Sequence, residues 1–269
     1  MRYLFFLIPV ISRMLSKDWP EVERNLDATL RSILQSPSDR VRAVVCHHER
    51  PDVPALKDPR VTALEVDFAR QDDVLKGSRD KQAKRRFGAA WLRENHGDCA
   101  IFFLDADDLV HRDLPDYILS KTVDAFQVET GYRWDEGRNA LEPVNKNFST
   151  RCGSCFGAFF TKAELPLSSD DMANTFSQIA KVKHALHAEV AVTQGKTCAP
   201  VPFPAIVYRI NHASSLRAAK LIASQESLDG KRDTNPKKVL APIEAVRILR
   251  EDFAATSLHT LQDIELAGR

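Results

Sequence analysis

The residues best suited to chemistry in this chain are three carboxylates that follow an apolar run. The run is Ala100 to Leu104, and the carboxylates are Asp105, Asp107 and Asp108. A short apolar run predicts a buried strand of an α/β sheet, and such sheets bind ligands beyond the carboxyl ends of their strands. Clustered carboxylates repel one another, and Mg²⁺ or Mn²⁺ removes that repulsion. The stretch therefore predicts a metal-assisted enzyme acting on a phosphorylated or nucleotide-linked substrate.

The composition narrows the function classes. With 269 residues, 43% of them hydrophobic, the chain can form one large α/β domain or two small ones. A net charge of +1, from 38 basic and 37 acidic residues, gives no overall field for nucleic-acid binding, so we expect no nucleic-acid partner. Five scattered cysteines argue against a disulfide framework and favour a reducing compartment. The lone pair Cys152 and Cys155 lacks two further zinc ligands, so we predict structural cysteines.

The apolar N-terminal stretch, Tyr3 to Ile11, predicts a buried strand. Pro9 interrupts it and no small-residue cleavage site follows, which argues against a signal peptide. The stretch is also far shorter than the roughly 18 apolar residues of a membrane span. We therefore expect no transmembrane segment and a cytoplasmic location, with peripheral contact at the inner face of the membrane as the alternative. The oligomeric state is not readable from the sequence.

Strand and helix patterns alternate over the first 110 residues. Predicted strands cover 3–10, 41–46, 61–66 and 99–104, and predicted helices cover 20–35 and 80–95. This rhythm predicts an open, mostly parallel sheet with helices on both faces. Further along, we predict strands over 123–129 and 155–161, a hairpin over 131–144, a helix over 170–192, an irregular edge strand over 196–208, a polar loop over 224–238 and a helix over 242–255.

Five separated motifs resemble the GT-A fold of nucleotide-sugar glycosyltransferases, most closely the family 2 group. In chain order they are FLIPVIS, NLDATLRSILQS, RRFGAAWL, FLDADD and VYRINHASS, and they extend over about residues 3 to 215. Arg86 departs from the pattern, since it stands where Asn is usual. The resemblance implies an α/β fold of the GT-A-like Rossmann type, an open, mostly parallel sheet flanked by helices, with a C-terminal helical extension. It implies a transferase domain over 1–222, with 223–269 a flexible loop and helical extension of the same domain.

The same resemblance implies transfer of a sugar from a nucleoside-diphosphate donor, by default a UDP-sugar, to a glycan or glycolipid hydroxyl with inversion. A leaving nucleoside diphosphate gains negative charge, which bridging Mn²⁺ or Mg²⁺ stabilises. By resemblance, Asp105 contacts the ribose and Asp107 binds the metal. Asp108 assists through water, and His212 is a further metal or phosphate ligand. A helix-capping acidic loop is the alternative for the acidic residues.

Donor contacts are also expected from the loops after the first three strands. Val10 and Ser12 end the first strand, Glu49 follows the second and Asp67 the third. Which of the two acidic residues faces the base stays open.

A basic run before the acidic strand is a second source of donor contacts. Within it, Lys81 and Arg85 share one helix face at i, i+4 and could meet a diphosphate, with Arg85 favoured by the resemblance. A solvated helix face is the alternative. Gly153, in CGSCFGAFF, resembles the small residue that lies under the donor sugar and permits close approach.

An inverting transferase needs a general base for the acceptor hydroxyl. The candidates are Asp171, in LPLSSDDMANTF, and Glu189, in HALHAEVAV. Asp171 also suits a helix N-terminus, where a carboxylate caps and meets the helix dipole. His184 and His187, three apart on a predicted helix, are expected to face solvent.

Other functions remain open. FLDADD also resembles the motif of haloacid-dehalogenase phosphatases, in which Asp105 would be the nucleophile and Asp107 the acid/base. Against that, Leu109 stands where Thr or Val is expected, and about a hundred residues precede the motif. A sugar nucleotidyltransferase should carry a glycine-rich loop after the first strand, and PVISRML has no glycine. A non-catalytic sugar-nucleotide-binding protein is the third alternative.

Overall fold

The computed structural model describes residues 2–69, 77–210 and 239–255. Its strands are β1 Leu4–Pro9, β2 Val41–His47, β3 Val61–Glu65, β4 Cys99–Phe103, β5 Leu109–Val110, β6 Ala125–Val128, β7 Gly131–Asp135, β8 Ala140–Val144, β9 Phe156–Phe160, β10 Cys198–Val201 and β11 Ile206–Ile210. Its α-helices are α1 Trp19–Leu34, α2 Gly77–Asn95, α3 Leu114–Ser120, α4 Thr175–Ala180, α5 His187–Thr193 and α6 Pro242–Glu251.

The large central sheet is mostly parallel, as predicted. Its strand order is β10-β6-β9-β4-β1-β2-β3. β1 pairs in parallel with β2 and β4, β2 with β3, and β6 with β10, whereas β9 runs antiparallel to β4 and β6. After β1, the chain adds β2 and β3 on one side of β1. It then adds β4 on the other side of β1. This reversal between β1 and β4 is a topological switch point, where open α/β sheets bind their ligands.

Helices α1 and α2 cover opposite faces of this sheet, because the crossovers β1–β2 and β3–β4 run in opposite directions. Asp18 is the N-cap of α1, and its side chain accepts a hydrogen bond from the Glu21 N–H at 2.9 Å. α2 packs closely on β1 and β2 at Gly88. A Cβ there would lie 2.5 Å from the Leu7 side chain and 2.8 Å from the Cys46 sulfur. The glycine therefore fixes how near α2 lies to the sheet.

A second, four-stranded sheet has the order β5-β11-β7-β8. Its β7–β8 hairpin confirms the hairpin predicted over 131–144. Helix α6 packs on this sheet, and its Leu249 shares a buried core with Trp134, Leu141 and Phe253. The predicted C-terminal helix therefore belongs to a separate small core beside the main sheet.

Two predicted elements are each divided in the structure. The single helix expected over 170–192 is the two helices α4 and α5, separated by an extended residue, Lys183, and a short 3₁₀ helix, His184–Leu186. The division arises because α4 packs on α2, whereas α5 packs on β6 and β10. The irregular strand expected over 196–208 is also two strands, because β10 joins the large sheet and β11 the small one.

The polar loop predicted over 224–238 lies outside the described residues. Among the helices that the structure describes, none combines the length and apolar character that a membrane crossing requires. The five cysteines are free thiols, as expected, and four of them are buried.

Candidate functional site

Four of the predicted site positions lie along one edge of the central sheet. Ser12, Glu49, Asp67 and Asp105 follow β1, β2, β3 and β4, which are parallel and end at the same edge. Neighbouring strands lie about 4.8 Å apart, so the loop after β2 is roughly 10 Å from the end of β4. The four residues therefore lie at the same edge of the sheet, and Asp105 lies at its switch point.

Asp105 lies against two cations of α2. The Lys81 Nζ is 2.5 Å from its Oδ1 and 2.7 Å from its Oδ2, and the Arg85 Nη2 is 3.4 Å from Oδ1. Burial raises the pKa of Asp105, but the charges of Lys81 and Arg85 outweigh burial and lower it below its usual value. The first carboxylate of the acidic loop is therefore ionised and already paired.

Asp108 is fully buried beneath the loop. The Ser154 hydroxyl donates to its Oδ2 at 2.5 Å and the Cys152 thiol at 3.2 Å, and the Arg209 N–H donates to its Oδ1 at 3.3 Å. Burial, followed by the charges of Asp107 and Asp105, raises the pKa of Asp108 well above its usual value. Asp108 is therefore a structural residue that favours its neutral form.

Gly153 lies directly against the Asp105 ion pair. A Cβ at this position would be 2.9 Å from the Asp105 Oδ2 and 3.1 Å from the Lys81 Nζ. Sequence reasoning placed this glycine near the donor, and the structure places its backbone beside the first carboxylate. A larger residue would push into the pair, so the glycine keeps this side of the ion pair free of a side chain.

Arg209 holds the backbone of the acidic loop. Its guanidinium is buried, with Nε 2.6 Å from the Glu136 Oε1, Nη2 2.7 Å from the Asn25 Oδ1 and Nη1 3.4 Å from the Asp107 carbonyl. From α1, the Thr29 hydroxyl donates to the Ala106 carbonyl at 3.1 Å. The backbone of the acidic loop is therefore held by α1 and by β11, which are distant in sequence. The Asp107 side chain on this loop is half-buried. Sequence reasoning missed Arg209, because its partners lie far away along the chain.

A second buried network ties the end of β1 to α2. The Lys84 Nζ donates to the Val10 carbonyl at 2.7 Å and lies 2.7 Å from the Asp80 Oδ2, while the Asp80 Oδ1 is 2.9 Å from the His48 Nε2. The Val10 N–H donates to the Cys46 carbonyl. Val10 thus has both backbone polar groups engaged and its side chain in the core. The missed signal was the i, i+4 spacing of Asp80 and Lys84.

The other donor candidates differ in accessibility. Ser12 is buried, and its hydroxyl makes no hydrogen bond within the described part of the chain. The Glu49 Oε2 accepts a hydrogen bond from the Arg13 N–H at 3.0 Å, which joins the loops after β1 and β2. Asp67 is exposed at the end of β3. The structure therefore places all three at the expected edge but does not show which of them meets a base.

The two candidate bases are not brought to this centre by any described contact. Asp171 accepts hydrogen bonds from the backbone N–H groups of Leu167 at 2.9 Å and Ala173 at 3.1 Å, and these bonds lower its pKa. Asp171 therefore caps a turn, which is the alternative role that the sequence allowed. Its lowered pKa makes it a weaker base. Glu189 is exposed on α5, about 200° around the helix from the buried His187. Its side chain points away from β4.

The described part of the chain does not form a preformed metal centre. In the described ranges, no three His, Cys, Asp or Glu side chains are placed to share a metal ion. Asp105 is paired with two cations and Asp108 is buried, whereas Asp107 is half-buried. The predicted ligand His212 lies outside the described residues. The repulsion from which the metal was predicted is reduced by Lys81 and Arg85 beside Asp105, and by the raised pKa of the buried Asp108.

The histidine pair His184 and His187 was expected to face solvent, but one of the two is half-buried and the other is buried. His187 is 1% exposed, with its ring centroid 5.3 Å from that of Phe103 and 5.4 Å from that of Phe156. His184 is half-buried and bonds through Nδ1 to the Ser149 carbonyl. Burial, together with the charges of Arg85 and His184, lowers the pKa of His187 to about 3. His187 is therefore a neutral core residue.

Replacing His187 with phenylalanine should make the protein less sensitive to acid. A histidine whose pKa falls on folding contributes stability above its unfolded pKa, and that stability is lost as pH falls from 6.5 towards 3. By this linkage, wild type should lose about 2 kcal/mol more than H187F between about pH 7 and about pH 5. Urea unfolding at the two pH values measures the difference. Equal losses in the two proteins would show that His187 is protonated in the folded state.

No protein-family model and no curated protein sequence matches the chain. Among solved structures, it resembles TarS residues 1–349 of S. aureus, with a TM-score of 0.43 and 11% identity over 78% of this chain and 60% of that chain. It also resembles the bifunctional glycosyltransferase WbbM, with a TM-score of 0.35 and 8% identity over 75% of this chain and 38% of that chain. The chain thus spans less than two thirds of either structure.

A further likeness extends over 100% of this chain. It is to 99% of a protein from Desulfovibrio desulfuricans G20 described as a nucleotide-diphospho-sugar transferase, with a TM-score of 0.37 and 8% identity. Because each of these scores is below 0.5, we base the function proposed below on the site itself.

Proposed function

We propose that this chain is a transferase that moves a sugar from a nucleoside-diphosphate sugar to an acceptor hydroxyl. The observation that carries the proposal is Asp105 at the switch point between β1 and β4, with Lys81 and Arg85 beside it. Open α/β sheets bind ligands at such a point, and paired cations suit phosphates. The motif resemblance further supports UDP as the nucleotide, inversion as the outcome and a glycan or glycolipid as the acceptor.

The loops after β1 to β3 would receive the nucleoside in this proposal. Ser12 offers a buried hydroxyl that makes no hydrogen bond in the described chain, which a ligand would satisfy. Glu49 and Asp67 offer carboxylates to ribose hydroxyls or base N–H groups at the same edge. With Asp105 at β4, these groups follow four adjacent strands. Polar groups placed in such a row suit a nucleotide that lies extended along this edge of the sheet.

The transfer itself has a simple electron balance. The acceptor oxygen bonds to the anomeric carbon while the bond from that carbon to the phosphate oxygen breaks. The electron pair of the broken bond stays on the nucleoside diphosphate, and the acceptor proton passes to a base or to water. The growing negative charge calls for positive charge nearby, and α2 supplies it. The base is left unassigned, because Asp171 is a turn cap and Glu189 points away.

A thermal-shift screen tests the proposal. UDP, GDP, ADP and dTDP, with and without Mn²⁺, are added to wild type and to Asp105→Asn. We expect one diphosphate to raise the unfolding midpoint, and its affinity to fall about tenfold or more in the variant because a charged hydrogen bond is lost. Asp39→Asn is the matched control, since Asp39 is exposed ahead of β2 at the opposite edge. Release of the diphosphate from its sugar derivative then measures turnover.

Three outcomes count against the proposal. A protein that no diphosphate or nucleotide-sugar stabilises is not a donor-dependent transferase. Hydrolysis of p-nitrophenyl phosphate that is lost in Asp105→Asn would instead identify the phosphatase chemistry left open by the sequence. Tight diphosphate binding without turnover on any tested acceptor would favour the non-catalytic binding protein.

A further inference from the structure

The two cations beside Asp105, Lys81 and Arg85, differ in how firmly their side chains are fixed. Arg85 is 4% exposed, and its guanidinium lies 4.6 Å from the centre of the Phe103 ring. Lys81 is 29% exposed, and its pair with Asp105 is open to solvent on one side. An arginine stacked on a ring is fixed in place. The lysine, on a flexible four-carbon stem, can change partners without any movement of the backbone.

Asp105 is neutralised without a metal. Lys81 and Arg85 bring two positive charges to its single negative charge, and Asp108 is buried among hydrogen-bond donors. A divalent cation at Asp105 would have to displace Lys81 or lie beside two like charges. Electrostatic repulsion therefore disfavours a cation at the first carboxylate.

We propose, on the basis of the function proposed above, that Lys81 takes the role of the divalent cation at this site. When the donor binds, the ammonium of Lys81 turns from Asp105 to the donor phosphates, while Arg85 keeps Asp105 neutralised. As the glycosidic bond breaks, its electron pair moves onto the diphosphate beside this ammonium, which stays protonated throughout. Donor binding and transfer then need no divalent metal. Gly153 leaves no side chain in the way of this movement.

Binding of UDP measured with and without metal tests the inference. Titration calorimetry is run in EDTA and in Mn²⁺ on wild type, Lys81→Ala, Lys81→Arg and Lys57→Ala. We expect the wild-type affinity to be equal in EDTA and Mn²⁺. Lys81→Ala should bind about tenfold more weakly in both conditions, and Lys81→Arg should keep most of the affinity. Lys57→Ala, an exposed residue next to Asp58 before β3, should bind like wild type.

The outcomes separate this inference from the function on which it rests. Binding that requires Mn²⁺ and is unchanged in Lys81→Ala would overturn the inference and leave the proposed transferase intact. If UDP, GDP, ADP and dTDP all fail to bind in both conditions, the proposed function falls and the inference falls with it. Circular dichroism of each variant confirms that any loss is not unfolding. Lys81→Arg provides a second check: arginine should keep the affinity that alanine loses, and equal losses in the two folded variants would overturn the inference.

Discussion

Replacing Arg209 with methionine is expected to lower the free energy of unfolding by about 3–5 kcal/mol. The guanidinium is 2% exposed and lies 2.6 Å from Glu136 and 2.7 Å from Asn25. Methionine fills much of the same volume, so the loss comes from the groups left behind. The Glu136 carboxylate, the Asn25 amide oxygen and the Asp107 carbonyl would each lose a charged donor. Urea unfolding measures the change, which corresponds to a fall of roughly 10 °C in the unfolding midpoint.

Arg138→Met is the matched control for this variant. Arg138 lies between β7 and β8, as does Glu136, the partner of Arg209, but the Arg138 side chain is 39% exposed and lies 3.8 Å from Asp135. An exposed pair of this kind contributes at most about 1 kcal/mol. Equal losses in the two variants would mean that Arg209 is solvated in solution. Because Arg209 also contacts the Asp107 carbonyl, its replacement should loosen the acidic loop and weaken UDP binding in parallel.

The first half of the fold was predictable because each strand is a short, largely apolar run with its own boundaries. Once β1 to β4 are parallel, their loops must meet at one edge, so the place of Asp105 followed from the run before it. The common face of Lys81 and Arg85 followed from their spacing on one helix. Local pattern and strand direction were therefore enough to place these residues at one edge of the sheet.

The remainder depends on contacts that local sequence does not encode. Arg209 meets Asn25 across 184 residues, and nothing in VYRI signals a buried guanidinium. The split of the predicted helix over 170–192 reflects which elements α4 and α5 pack against, since no glycine or proline marks the break. The metal prediction stays a prediction, and its starting argument was incomplete for a similar reason. It counted the repulsion among carboxylates without the two cations that lie 24 and 20 residues earlier in the chain.

Replacing Lys84 with methionine is the second large effect we expect, a loss of about 3 kcal/mol of unfolding free energy. The Lys84 ammonium is fully buried, 2.7 Å from both the Asp80 carboxylate and the Val10 carbonyl. Burial lowers the pKa of Lys84, and the charge of Asp80 opposes that change. Without the ammonium, Asp80 keeps its bond to His48 but loses its nearest buried cation. A buried carboxylate that loses its cation is more costly than an exposed one.

A double-mutant cycle separates the ion pair from simple packing. Asp80→Asn alone should cost a similar amount, because it leaves the ammonium buried without a counter-charge. The double variant should cost at least about 2 kcal/mol less than the sum of the two single variants. Arg79→Met, an exposed change on the same helix, should stay within about 0.5 kcal/mol of wild type. Strict additivity would show that the Asp80–Lys84 pair is not formed in solution. The loop that follows β1 and contains Ser12 would then not depend on the bond from Lys84 to the Val10 carbonyl.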